Sequence, residues 1–274
     1  MDKCGFSGDK IGSYTHLLEN FGLFTWFNGW TLNKCMQTRE GEDAHVQDSR
    51  YREVQRFEDL RDIYTAALNR LSGDVPVVGV VSDQNVFATH EAMNHHDDVY
   101  GLIARLVSEN NPRIRALDLF AGGQAGKRRF EHEAPGSVMT SVDILPGRTD
   151  VSFDVRELDR YFDRGQEFSA IFLIGMVPGS INHAQIKKIL NDTGIVVTGG
   201  SKDIFDNHEA RMLNGEVLDE SDRFDAENLR MSEYFEPIMA IRVNDVKGYY
   251  ADFLKGKGIK PTLDFGYVLW RKRQ

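Results

Sequence analysis

Ile114-Arg-Ala-Leu-Asp-Leu-Phe-Ala-Gly-Gly-Gln-Ala-Gly126 is an apolar run that reaches an acid, Asp118, and then breaks into small residues. Such a run predicts a buried parallel strand that stops at a loop where backbone must approach something closely. A second run, Ser137-Val-Met-Thr-Ser-Val-Asp143, ends in another acid 25 residues after the first. A glycine turn followed about 20 residues later by a carboxylate is how an open α/β sheet holds a nucleoside. The turn lies under the polar tail and the acid takes the ribose hydroxyls. The pattern predicts a nucleotide-like ligand.

Outward from this stretch, strands and helices alternate. Strands are predicted at 114–120, 137–143, 149–154, 168–175 and 194–199, and helices at about 124–134, 156–164 and 181–191. This is the βαβ rhythm of a parallel sheet covered on both faces. Ile238 to Val243 and Phe265 to Trp270 are apolar segments flanking a helix-like Val246 to Leu254. The last strand, closed by Arg271-Lys-Arg273, suits an antiparallel addition to the sheet edge. Upstream the chain reads differently. Tyr14 to Trp30 is dense in aromatics, Ser49 to Leu71 has apolar residues at helical spacing, and Val77 to Val81 is a strand or buried linker. Asp97 to Glu109 reads as a helix ended by Asn110-Asn-Pro112. The expected division is a mainly helical segment over 1–110 and an α/β domain over 111–274.

Composition narrows the function. A hydrophobic share of 41% and a charged share of 27% are those of an ordinary soluble globular protein. The net charge of −9 argues against a nucleic-acid partner, which usually needs a basic face. No apolar run approaches the roughly 20 residues of a membrane span. Cys4 and Cys35 are the only cysteines, too few for a disulfide framework or a cysteine metal site. The expectation is a reduced, cytoplasmic protein that binds neither nucleic acid nor membrane.

With those residues in place, the chain from about 110 to 274 resembles the class I S-adenosylmethionine-dependent methyltransferases. Asp118-Leu-Phe-Ala-Gly-Gly123 is similar to the family's first motif, Ser141-Val-Asp-Ile144 to its second and Phe153-Asp-Val155 to its third. Ile189 to Val197 resembles the turn before strand five, and Phe265 to Trp270 the closing strand. The resemblance implies a Rossmann-like, seven-stranded, mostly parallel α/β sheet with an N-terminal, mainly helical lid, and S-adenosylmethionine as cofactor. It assigns cofactor contacts to Asp118, Phe120, Ala121, Gly122, Gly123, Asp143, Ile144, Asp154, Val155 and Gly175. Asp143 would take both ribose hydroxyls, Ile144 would lie against the adenine, and Asp154 would receive its amino group. Phe120 and Gln124 stand where many relatives have glycine, and Gly-x-Gly-x-x-Gly, the dehydrogenase pattern, is absent. For any one of the three acids alone, a solvated strand end or helix cap is the bland reading.

The reaction is less marked. After strand four, Gly175-Met-Val-Pro-Gly-Ser180 contains neither Asn-Pro-Pro-Tyr nor Pro-Cys, the motifs of base methylation. Gly175 and Met176 would form an apolar floor beneath the sulfonium. His183 is a candidate base by position, with a helix surface as its expected place. His90, with His95 five residues on, lacks metal-ligand spacing, so no metal is expected. Tyr14 and Trp26 lead an aromatic cluster that would wall an acceptor pocket, since aromatic faces attract cations. The same cluster would serve a core or a homodimer interface. The expected activity is methyl transfer to a small molecule. The alternative on the same fold is attack on the cofactor's aminobutyrate chain by a cyclase, lyase or aminocarboxypropyl transferase, releasing methylthioadenosine.

Overall fold

The computed structural model describes residues 51–70, 73–81, 97–109, 113–162, 166–201, 204–244 and 265–274. Internal contacts divide the chain into Met1–Gln47 and Asp48–Gln274, and all described residues belong to the second unit. Tyr14, Trp26 and the rest of the aromatic cluster, His90, His95 and the stretch 246–254 lie outside the described residues.

Nine strands form one sheet. They are β1 (Tyr51–Val54), β2 (Val77–Val81), β3 (Arg115–Leu119), β4 (Val138–Asp143), β5 (Val151–Ser152), β6 (Phe168–Ile174), β7 (Leu190–Ser201), β8 (Phe235–Asn244) and β9 (Phe265–Lys272). The order across the sheet is β1-β2-β8-β9-β7-β6-β3-β4-β5. Only β9 runs against its neighbours, β7 and β8. The seven-stranded, mostly parallel core is therefore present, and β1 and β2 extend it by two strands beyond β8. The closing strand corrects the expectation of an edge: β9 is inserted between β7 and β8. Its Trp270 donates its indole N–H to Thr198 Oγ1 at 2.9 Å, in a fully buried contact. Thr198→Val should cost about 1–3 kcal/mol, because a buried donor is left without an acceptor. Urea denaturation checks this through a lower midpoint at unchanged slope.

Successive strand residues face opposite sides, and each side has its own core. One side joins Ala116, Met139, Ala170, Phe172, Val197 and Leu269 to three helices. These are α1 (Phe57–Leu68), α2 (Asp97–Ser108) and α3 (Ala125–Glu133). The other side joins Leu117, Leu119, Val142, Ile171, Val196 and Trp270 to Leu158, Ile186 and Met231. Those three stand on α4 (Leu158–Tyr161), α5 (His183–Ile189) and α7 (Arg223–Tyr234). A short helix, α6 (Ala210–Leu213), follows a π-helical turn at Phe205–Glu209. Burial on both faces is why the central strands read as unbroken apolar runs.

One expectation upstream needs adjustment. Ser49 to Leu71 is not one helix: Tyr51–Val54 is a strand, and α1 starts only at Phe57. Helices α1 and α2 pack in the same core as the sheet.

Candidate functional site

The loop after β3 is built by tight bonding to β4. The Ala121 N–H donates to the Val142 carbonyl at 3.0 Å, and the Gly122 N–H donates to Asp143 Oδ2 at 2.9 Å. Asp143 Oδ1 accepts from the Leu145 N–H at 2.9 Å, so one carboxylate ties the loops after β3 and β4 together. Gly122 sits at φ +58°, a conformation that favours glycine. Among the described residues nothing lies within 4 Å of where a Cβ would stand on Gly122 or Gly123.

Asp118 lies just below, on β3 and level with Ser141 and Phe172. It is 1% exposed. Burial pushes its carboxyl up to about 7, the Tyr100 hydroxyl bonded to it pulls the other way, and the charge of Asp143 adds to the rise. Its Oδ1 is buried with no hydrogen-bond partner among the described residues. Tyr100 comes from α2 and stacks on Phe172 with ring centroids 4.6 Å apart. Gly126 makes room for it: a Cβ there would stand 2.8 Å from the Tyr100 ring. Helix α3 begins beside the glycines at Ala125, and Gln124 gives it no side-chain cap.

The remaining cofactor candidates divide. Ile144 is 64% exposed and Leu145 40%, an apolar pair on the outer rim of the same loop. Phe120 is half-buried against the second core, and Val155 is buried in it. Gly175 ends β6 at φ +71° with open space beside it, and Met176 packs on the core. Asp154 accepts from the Arg156 backbone N–H at 3.0 Å and pairs with the Arg156 guanidinium, which holds its carboxyl down at about 2. Here the acid acts as a cap, the bland reading given above for an isolated acid.

His183 is not on the surface. It is 5% exposed, and its Nε2 lies 2.9 Å from Glu227 Oε1 on α7, itself 1% exposed. Helix α7 carries the groups that sequence reading missed: its buried face holds Asp225, Glu227 and Asn228 with only one apolar residue, Met231. The available signal was Asp222, which caps the helix by accepting from the Phe224 and Asp225 N–H groups. A further missed acid, Asp150, accepts from Lys127 Nζ at 2.8 Å and from the Ser141 N–H at 2.9 Å. It braces α3 against β4.

One group has metal-like geometry. His208, Asp222 and Asp225 place ligand atoms within 4.8 Å of one another. Asp225 is already engaged by His208 Nδ1 at 2.8 Å, the Asp219 N–H at 2.9 Å and Arg211 at 3.4 Å. A guanidinium against the central carboxylate makes this a satisfied network. A cavity of about 1310 Å³ lies elsewhere, lined by Tyr64, Leu106, Lys187, Tyr234 and Arg271. None of the strand-end acids borders it.

The strand order β5-β4-β3-β6-β7-β9-β8, with one reversed strand, carries Asp118 and Asp143 on neighbouring strands beside a glycine loop. The fold is a Rossmann-like α/β fold with a mostly parallel sheet. Neither a protein-family model nor a curated protein sequence matches the chain. Among solved structures it is similar to a probable spermidine synthase from Corynebacterium glutamicum ATCC 13032, at 14% identity and TM-score 0.40. The match covers 66% of this chain and 64% of that one. It is also similar to precorrin-6Y C5,15-methyltransferase from Geobacter metallireducens GS-15, at 12% identity and TM-score 0.39 over 64% of this chain and 87% of that one. A third is a DUF574 family protein from Streptomyces avermitilis MA-4680, at 14% identity and TM-score 0.39 over 65% and 83%. The chain spans somewhat under two thirds of the first of these proteins, 64%. Likeness this partial identifies none of them with this chain, and the strand order and strand-end side chains carry the reading. No described helix is long and apolar enough to cross a membrane.

Proposed function

We propose that the chain is an S-adenosylmethionine-dependent transferase that moves the methyl group to a small-molecule acceptor. The observation that carries this is Asp118 Oδ1, buried beside the glycine loop and without a hydrogen-bond partner among the described residues. An unmatched buried carboxylate oxygen is costly, and a ligand ammonium is the partner that repays it. The uncapped start of α3 suits the cofactor's carboxylate. Each oxygen of Asp143 already accepts one N–H and keeps a lone pair for a ribose hydroxyl. The exposed Ile144 and Leu145 offer an apolar surface for a flat ring to cover. The donor set fits the group. Asp154 is the least suited of the three acids, because Arg156 occupies it.

When bound, the cofactor supplies a methyl carbon activated by its sulfonium. Asp118, the glycine loop and Asp143 would hold the two ends of the molecule, and Gly175 and Met176, at the end of β6, would wall the side on which the acceptor is aligned. Alignment is the main requirement of an in-line displacement. His183 is buried with its Nε2 2.9 Å from Glu227 Oε1. The acidic net charge and the absence of base-methylation motifs after β6 speak against a nucleic-acid acceptor and support the small-molecule reading.

Identification of the nucleoside product tests the proposal. Incubation with S-adenosylmethionine and an acceptor panel should yield S-adenosylhomocysteine only when an acceptor is present. Methylthioadenosine formed without any acceptor would reassign the reaction to the aminobutyrate chain.

A further inference from the structure

We propose that Glu227 is the positioning residue for the loop after β6, residues 175–182, and so for the wall facing the transferred group. The inference rests on reading that loop as part of the site. Within itself the loop is held lightly, by the Ser180 N–H and Oγ, both donating to the Val177 carbonyl. Its start is tied to β7 by the Gly175 N–H, which donates to the Gly199 carbonyl at 3.3 Å, and Met176 and Ile181 pack on the core; its mid-point is held by the Gly179 N–H, which donates to Glu227 Oε2 at 2.6 Å across 48 residues of sequence. The other oxygen of the same carboxylate stands 2.9 Å from His183 Nε2, at the first residue of α5. Arg230 Nη1 approaches Oε2 at 3.5 Å from the next turn of α7. One buried carboxylate thus joins the loop, the start of α5 and α7.

Packing alone does not call for this residue. An apolar side chain at 227 would fill the same space without the cost of burying a charge, so the acid is better explained by the geometry it imposes. Burial raises its carboxyl, but His183, the Gly179 N–H and Arg230 together outweigh that and leave it below the ordinary range. The charge that grips the loop is therefore present at neutral pH. Asn182 caps α5 by accepting from the Gln185 N–H, so the far end of the loop is fixed independently. Gly179 is the point where Glu227 sets its course.

Two readouts on Glu227→Gln and Glu227→Asp test this. Amide exchange in the ligand-free protein should show the Gly179 N–H protected in the wild type and at least about tenfold faster in Glu227→Gln. Partial recovery of protection is expected in Glu227→Asp, which keeps the charge. With S-adenosylmethionine labelled by ¹³C at the methyl group, cofactor affinity should hold while the bound methyl resonance shifts or broadens in Glu227→Gln. Unchanged Gly179 exchange together with an unchanged methyl resonance would overturn the proposal. If Glu227→Gln does not fold, His183→Gln removes the imidazole partner and is read in the same two ways. A wild type that binds no S-adenosylmethionine would defeat the cofactor reading, while the exchange result would still decide the Glu227 tie.

Discussion

Asp118→Asn should weaken S-adenosylmethionine binding and, in the ligand-free protein above pH 7, raise the melting temperature. The two effects have one cause. Asp118 Oδ1 is buried without a partner among the described residues, and burial lifts its carboxyl from 3.8 to about 7. A ligand ammonium turns that liability into a charge-assisted contact, worth roughly 1.5–3 kcal/mol, or about tenfold to a hundredfold in Kd. Asparagine keeps the shape and loses the charge, so that affinity is lost. The sign of the stability effect follows from proton counting. The folded protein keeps the Asp118 proton up to about pH 7, whereas the unfolded chain releases it near 3.8. Stability is full below the unfolded value and falls as pH rises through the folded one, by an amount on the order of a few kcal/mol. The variant has no such loss. Its advantage in thermal melts should be largest near pH 8 and vanish near pH 4. Equal melting temperatures at both pH values would remove Asp118 as a strained, buried acid.

Asp143→Ala should be the second large loss, and for a different reason. Its carboxylate ties the Gly122 and Leu145 N–H groups, so alanine both removes the ribose acceptor and frees the glycine loop. Cofactor Kd should rise by about tenfold to a hundredfold, from the lost charge-assisted bonds. Stability should drop by only about 1–2 kcal/mol, because the released N–H groups lie where water reaches them. Calorimetric titration and a urea melt separate the two effects. An unchanged Kd with a large stability loss would make Asp143 a purely structural brace.

The parts of the fold legible in advance share a physical property. Strands β3, β4 and β6 are buried on both faces, so their apolar runs stand out against the polar segments around them. Asp118 and Asp143 were legible because they interrupt such runs at the strand ends. β1 was not: Tyr51–Val54 buries only Val54 and runs into the charged start of α1. Helix α7 was not, because its buried face is polar and no apolar period marks it. With α7 unseen, His183 had no buried partner and read as a surface residue. The antiparallel sense of β9 was readable from its position at the end, but its place between β7 and β8 depends on pairings distant in sequence. Asp154 looked like its two fellows by motif, and only the neighbouring Arg156 set it apart.

Calorimetric titration of the ligand-free protein with S-adenosylmethionine, in buffers of differing ionisation enthalpy, tests the central claim most directly. A neutral Asp118 that must ionise to hold an ammonium predicts binding with release of nearly one proton at about pH 6, and of almost none at about pH 8.5. Absence of binding at both pH values, or binding that releases no proton at the lower one, would contradict it.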